Sequence, residues 1–240
     1  MTEVAMITGG SRRIGKAIGL ALAERGYDIA LHYNNSDEAA GQAAEEIRRI
    51  GRECKTFQAD LSDYRQVEGL VGSVVGAFGR CDVLINNASI FEKASLAETT
   101  TDLLFRTMRI NFEAPFMLTR DFAALCQGQG QVINLLDTRI RSNRATYCAY
   151  SISKKALADL TRLSAHELGP SIRVNGVCPG LVLEPPEVDP DSGYLEELAE
   201  RIPLRRRGDV EDVVRAVVYL IDSDFVTGQL LFADGGEQLI

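Results

Sequence analysis

Tyr150 and Lys154 stand four positions apart, and Asp137 precedes Tyr150 by thirteen. The stretch around the pair, residues 145–160, carries apolar residues at helical spacing. A phenol and an ammonium one turn apart therefore project from the same helix face. A neighbouring ammonium favours phenolate, which predicts a Tyr150 pKa drawn down toward working pH and a useful proton donor. Asp137 ends the apolar run of residues 131–136, which has the pattern of a buried strand. A carboxylate at a strand's C-terminal edge faces the crevice where open α/β sheets bind ligands. Left unpaired beside a phenol, it is costly unless it is used. Asp137, Tyr150 and Lys154 are thus the candidate acid group.

The elements that must position them alternate along the chain. Residues 4–8 form a short apolar strand, followed by the glycine turn Gly9-Gly-Ser-Arg-Arg-Ile-Gly15 and an alanine-rich helix to Arg25. Glycines at such a turn let backbone approach a pyrophosphate at the helix N-terminus, where free N–H groups and the dipole favour anions. Further strands are expected at residues 28–33, 54–58, 81–86, 131–136, 172–178 and 229–232. Helices are expected at 37–50, 63–78, 99–126 (with a break near Pro115), 147–168 and 210–221. Alternation of this kind predicts one α/β domain over residues 1–240, a doubly wound parallel sheet flanked by helices. Residues 184–200, rich in proline and acid, read as a flexible insertion of about 183–203 that would border the substrate.

With 45% hydrophobic and 25% charged residues, the composition is that of a globular protein, and the net charge is −8. No basic block is present, which argues against nucleic acid or an anionic membrane as the main partner. No apolar run approaches the roughly 18–20 residues that span a bilayer. Residues 1–8 lead straight into a strand without a basic segment, so no signal peptide is expected. Five cysteines without CxxC spacing suggest buried thiols in a reducing cytoplasm. No cluster has metal-ligand spacing, and His32, at a strand end, reads by itself as a surface residue.

Taken together, Thr8-Gly9 through Gly15, Asp60-Leu61, Asn86-Asn87-Ala88, Asn111, Tyr150-x-x-x-Lys154, Asn175, Pro179-Gly180 and Asp234-Gly235-Gly236 resemble the short-chain dehydrogenase/reductase family over the whole chain. The resemblance implies a Rossmann-type fold and a nicotinamide dinucleotide. It assigns proton donation to Tyr150, ribose binding and pKa depression to Lys154, a relay water to Asn111 and an adenine contact to Asp60. Four departures narrow it. Arg13 replaces the usual second glycine, Ser89 follows Asn-Asn-Ala, Asp137 stands where a catalytic serine is usual, and Leu181-Val-Leu lacks the expected threonine. Arg13, Phe91, Asp137, Tyr147 and the His32-Tyr33 turn resemble the pteridine reductase branch. The acidic loop and the chain's ending look, more loosely, like dihydromonapterin reductases.

By that resemblance NADPH would lie against Gly9, Ser11, Arg12, Arg13, Ile14 and Gly15 in the first turn. His32, Tyr33, Asn34, Asn35 and Ser36 would meet its 2′-phosphate end. Asp60 and Leu61 would border the adenine, and Asn87, Ala88 and Ser89 the middle. Tyr150, Lys154, Pro179, Gly180, Leu181 and Val182 would hold the nicotinamide end. The substrate would meet Arg13, Ser89, Phe91, Asp137, Tyr150, Gly180 and Leu183, with Phe91 stacked on a pterin. NADPH is also expected on physical grounds, because no carboxylate precedes Asp37 after the second strand and two arginines face it. Three functions follow in order: reduction of a dihydropterin, reduction of another carbonyl such as an oxoacyl thioester, and non-enzymatic dinucleotide sensing. A homotetramer is implied, and the surplus of apolar residues on the 99–126 and 147–168 helices, Phe105, Phe116 and Phe122 among them, suits it.

Overall fold

Along the first strand, Val4 and Met6 enter one hydrophobic cluster while Ala5 and Ile7 enter another. A strand covered on both faces reads as an unbroken apolar run, which is why the strands appear as short hydrophobic blocks. The computed structural model describes residues 2–143, 145–183 and 193–240. In chain order its elements are β1 (Val4–Ile7), α1 (Arg13–Glu24), β2 (Asp28–Tyr33), α2 (Asp37–Arg49), β3 (Cys54–Gln58), α3 (Tyr64–Val67), α4 (Leu70–Phe78) and β4 (Val83–Asn86). Then come α5 (Thr101–Met108), a π-helical segment (Arg109–Glu113), α6 (Ala114–Leu125), β5 (Gly130–Leu135), a 3-10 turn (Thr138–Arg141) and α7 (Cys148–Leu168). β6 (Ile172–Pro179), α8 (Tyr194–Ala199), α9 (Val210–Asp222), β7 (Leu230–Ala233) and a 3-10 turn (Glu237–Leu239) complete it.

All seven strands are parallel, in the order β3-β2-β1-β4-β5-β6-β7. Helices α1, α2 and α9 cover one face, and α4, α6 and α7 the other. This is the doubly wound Rossmann-type sheet. Its order reverses between β1 and β4, so the crevice beyond their C-terminal ends is the expected ligand site. Register across β4 and β5 is pinned by polar groups. Asn86 pairs with Asn134 across the strands, and its Nδ2 donates to Asn134 Oδ1 (2.8 Å). Asn134 Nδ2 donates in turn to Thr161 Oγ1 on α7 (2.8 Å). All three residues are buried.

Three expectations change. The helix read at 63–78 is two helices, because Gly69 adopts φ +81 between them. The helix read at 99–126 is interrupted near Pro115, as read, but by a π-helical segment rather than a stop. Pro115 falls in the first turn of α6, where a missing N–H is tolerated. Part of the insertion read at 183–203, residues 184–192, lies outside the described residues. Beyond them the chain forms α8, with Ala199 and Ile202 buried, so this end is packed rather than loose. Phe122 belongs to the core, while Phe105 and Phe116 are exposed as expected. All five cysteines are free; three are buried and two half-buried. Among the described residues no helix is long and apolar enough to cross a membrane.

Candidate active site

The glycine turn between β1 and α1 is held by small polar groups. Thr8 Oγ1 accepts from the backbone N–H groups of Asn87 (2.9 Å) and Ala88 (3.0 Å). Asn87 Nδ2 donates to the carbonyls of Thr8 (2.8 Å) and Gly9 (3.1 Å). Gly15 packs so closely that a Cβ there would lie 2.3 Å from the Gly9 carbonyl oxygen. Arg13, at the family's glycine position, takes φ +49, a conformation that favours glycine. An arginine is kept there against backbone strain. Arg12 caps α1 without a side-chain bond, and no acidic residue lies in the first turn. The N–H groups of Arg13, Ile14 and Gly15 therefore have no helical acceptor and stay open to an anion.

His32 differs from both sequence readings. It is 2% exposed, and its two ring nitrogens are engaged by backbone. The Gly9 N–H donates to Nδ1 (3.1 Å), so the proton sits on Nε2, which donates to the Ala59 carbonyl (3.0 Å). Gly10 N–H donates to the His32 carbonyl (2.9 Å). The imidazole is a strut between the turn and the end of β3 rather than a surface group or a cofactor contact. Burial lowers its pKa below 6.5. The N–H groups of Gly9 and Gly10 are committed to this strut, which leaves anion contact to the residues after them.

At the end of β2 lie Tyr33, Asn34, Asn35 and Ser36. Asp37, the first carboxylate, accepts from the Tyr33 hydroxyl (2.8 Å). Ser36 caps α2 without a side-chain bond, and Asn34 and Asn35 are exposed. Arg12 and Arg13 are exposed too, without ion pairs among the described residues. This corner has donors and cations and no free carboxylate on β2, as a 2′-phosphate requires. Across the crevice, Asp60 Oδ1 accepts from the Ser62 N–H (2.8 Å), and Leu61 is buried beside it.

The acid group assembles where β5 ends and α7 begins. Tyr150 Oη donates to Asp137 Oδ2 at 2.8 Å. Asp137 Oδ1 accepts from the Arg139 N–H (2.8 Å) and caps the 3-10 turn, so the carboxylate is paired rather than free. Lys154 Nζ is buried, donates to the Leu135 carbonyl (2.7 Å) and lies 5.6 Å from the Tyr150 ring centroid. Burial, followed by the Asp137 charge and hydrogen bond, pushes the Tyr150 phenol well above its usual 10.0. The expected depression by Lys154 is overturned. Burial also lowers the Lys154 ammonium to about 8, with Asp137 opposing the shift.

A cavity of about 350 Å³ gathers most of the expected residues. It is lined by Arg13, Ile14, Asn87, Ser89, Phe91, Asp137, Tyr150, Lys154 and the run Pro179, Gly180, Leu181, Val182 and Leu183. Gly180 is pressed onto Asp234, where a Cβ would lie 2.7 Å from that residue's Cα. Asn111 lies outside the lining. Its Oδ1 accepts from Ile90 N–H (2.9 Å), and Nδ2 donates to the Ile90 carbonyl (3.0 Å) and Ser153 Oγ (3.2 Å). With both amide hydrogens used, its contact for a relay would be its carbonyl, which Pro115 cannot reach with a helical N–H. Phe91 stacks on Tyr147 at 4.1 Å and 10°, and meets Tyr150 edge-on at 4.6 Å. Tyr147 thus covers one Phe91 face and does so at φ +61. Thr138, Arg139, Leu198 and Glu237 also line the cavity and were missed. Arg139 carried a signal, a cation two residues after a strand-end carboxylate.

Residues 9–238 match the family profile described as enoyl-(acyl carrier protein) reductase. An uncharacterized oxidoreductase of Mycobacterium tuberculosis is 38% identical, over 98% of this chain and 91% of the relative. The 3-oxoacyl-[acyl-carrier-protein] reductase FabG of Staphylococcus aureus is 32% identical, with 98% of each chain covered. Among solved structures, FolM alternative dihydrofolate reductase 1 from Brucella canis, complexed with NADP, superposes with a TM-score of 0.91. It is 33% identical, and the match covers 99% of this chain and 95% of that one. With the profile spanning nearly the whole sequence, and the phenol, ammonium and glycine turn meeting at one crevice, the chain belongs to the short-chain dehydrogenase/reductase family of oxidoreductases.

Proposed function

We propose that the protein uses NADPH to reduce the C=N bond of a dihydropterin to the tetrahydro form. The observation that carries this reading is the 2.8 Å hydrogen bond from the Tyr150 phenol to Asp137. A ketone becoming an alkoxide needs hydroxyl donors at its oxygen, and a carboxylate beside that oxygen would oppose the charge that develops. A ring nitrogen needs a proton instead. Burial and Asp137 keep the Tyr150 phenol protonated, so the proton is held at the site until the nitrogen takes it. Asp137, as the acceptor of the phenol's hydrogen, orients it for that transfer, and the phenolate left behind takes its next proton from solvent.

The dinucleotide suits the crevice by its donors. The first turn of α1 supplies N–H groups for phosphate, and Arg12, Arg13, Ser36 and the asparagines after β2 supply the 2′-phosphate end. Bound there, reduced nicotinamide supplies the hydride for the C=N carbon. Lys154 keeps two of its three hydrogens beyond the Leu135 bond, enough to hold a ribose hydroxyl. Phe91 offers a stacking face worth about 0.5–1.5 kcal/mol beyond area burial. The NADP complex of the Brucella FolM structure supports both halves of the reading.

A second reading, reduction of an oxoacyl thioester, is favoured by the relation to the Staphylococcus FabG reductase. The carboxylate at 137 counts against it. We also infer a homotetramer, in which the exposed Phe105, Phe116, Ile152 and Leu163 of α5, α6 and α7 would be covered. A monomer by light scattering at micromolar concentration would refute that. The substrate is tested by following NADPH consumption against dihydropterins and ketones. Wild type should reduce dihydropterins, and Asp137→Ser should lose at least about a hundredfold in turnover with NADPH affinity retained. Wild type reducing only ketones, or Asp137→Ser keeping full turnover on every dihydropterin, overturns the assignment.

A further inference from the structure

Arg139 stands between two cavities. With Thr138 and Glu237 it lines the catalytic cavity and an adjoining one of about 370 Å³, whose far side includes Arg141, Ser142 and Asn143. Its guanidinium rests on the Tyr147 ring, 4.6 Å from the centroid, with Phe91 at 5.7 Å. Stacking uses the flat face of the group and leaves its N–H edge free. Nη1 is shut away from solvent and meets no acceptor among the described residues. The two nearby carboxylates are engaged elsewhere. Asp137 takes the Tyr150 hydroxyl and the Arg139 backbone N–H, and Glu237 accepts from Thr138 Oγ1 at 3.3 Å.

A guanidinium is charged at any working pH, and a buried donor without an acceptor is unfavourable. A role as a lid on Tyr147 accounts for the stacking but not for the buried, unanswered N–H. A neutral carbonyl would answer the donor and leave the guanidinium without a hydrogen-bonded counterion. A carboxylate or phosphate answers both, because its oxygens match the guanidinium fork.

We propose that Arg139 is a specificity-determining residue that holds an anionic group, carboxylate or phosphate, carried by the substrate outside its reacting ring. The reacting ring lies in the catalytic cavity beside Tyr150, and the substituent passes Arg139 into the second cavity. Only the identity of the ring rests on the dihydropterin reading.

The test has two arms. In the first, wild type, Arg139→Ala, Arg139→Gln and Arg139→Lys are assayed with NADPH on three substrates sharing one ring. These are dihydrofolate with a carboxylate tail, dihydroneopterin monophosphate with a phosphate, and dihydrobiopterin with a neutral tail. The kcat/KM preference of wild type for one anionic tail over the neutral one should fall at least about tenfold in Arg139→Ala and Arg139→Gln. The fall should come through KM, with part of the preference kept in Arg139→Lys. Which anionic substrate shows the preference identifies carboxylate or phosphate. In the second arm, benzoate and its neutral counterpart benzamide are titrated into the NADP-loaded enzyme by calorimetry, with methyl phosphate as the phosphate probe. Wild type should favour an anion, and Arg139→Ala should lose the preference while retaining its NADP affinity and melting temperature. A wild type that reduces no dihydropterin defeats the dihydropterin reading, and the second arm then judges Arg139 alone. Equal losses on charged and neutral ligands, or no anion preference in wild type, overturn the proposal.

Discussion

On the rim built from the ends of β1, β2 and β4, the polar groups are backbone amides and small side chains that satisfy one another. Thr8 ties the turn to the backbone after β4, Asn87 and His32 bond the turn by their side chains, and a single added methyl at Gly15 would strike the Gly9 carbonyl. On the rim built from the end of β5 and the start of α7, the groups are ionised or aromatic and their contacts are stacked and charged. Asp137, Tyr150, Lys154, Arg139, Tyr147 and Phe91 crowd together there, with Tyr147 in a left-handed conformation. The first rim is a fitted cradle that tolerates little, while the second is chemically poised. A shared ligand needs one and a particular reaction the other. Arg13 belongs to both, lining the cavity beside Tyr150 from within the glycine turn.

The contrast is sharpened most by Tyr150→Phe. It removes the proton while leaving the cradle whole, so turnover should drop about a thousandfold with NADPH affinity within twofold or so of wild type. Parallel losses of affinity and turnover would erase the distinction between the rims. Gly15→Ala should do the reverse, lowering stability by about 1–3 kcal/mol through overpacking and weakening NADPH binding. Chemical denaturation and fluorescence titration measure both, and an unchanged midpoint would contradict the close packing. Arg13→Gly should relieve the left-handed backbone and hold or raise the melting point by a gain of up to about 1 kcal/mol. Affinity for NADPH or substrate should decline at the same time. Lower stability in this variant would mean that the arginine side chain, rather than strain, dominates there.

The smallest effect is at His32. Its folded pKa lies below the ordinary 6.5, so below that pH the unfolded chain binds the proton first. Stability supplied by neutral His32 is present above pH 6.5 and is lost as pH falls toward the folded value. His32→Asn should therefore flatten the dependence of stability on pH in that window relative to wild type. Identical slopes for the two proteins would remove the strut from the titration.

Much of the frame was legible because apolar blocks and turn residues act locally. The limits of β2 and β3 follow directly from such blocks. Tyr150 and Lys154 share a helix face by spacing alone, and Asp137 follows from the end of its strand. What escaped depends on partners distant in the chain. Tyr150 was read against Lys154, its neighbour by one turn, whereas burial and Asp137 decide its proton. His32 at a strand end gave no sign that Gly9 and Ala59 would close around both its nitrogens. Phe91 was legible as an aromatic at the crevice, yet not as a ring already stacked on Tyr147. Gly69 and Pro115 carried their signals openly; the first splits a helix and the second widens one.

The buried chain Asn86, Asn134 and Thr161 bears on how faithfully copies of the enzyme are made. Sliding β4 past β5 by one residue would strand these amides without partners, each at roughly 1–3 kcal/mol. The same slide would carry Asn87 away from the glycine turn and Asp137 away from Tyr150. Errors in alignment are thus penalised in the interior before they can surface as a defective crevice. A molecule that has folded has, by that fact, aligned Tyr150 and Asp137 with its glycine turn, and loss of activity on heating should track the fraction unfolded rather than precede it.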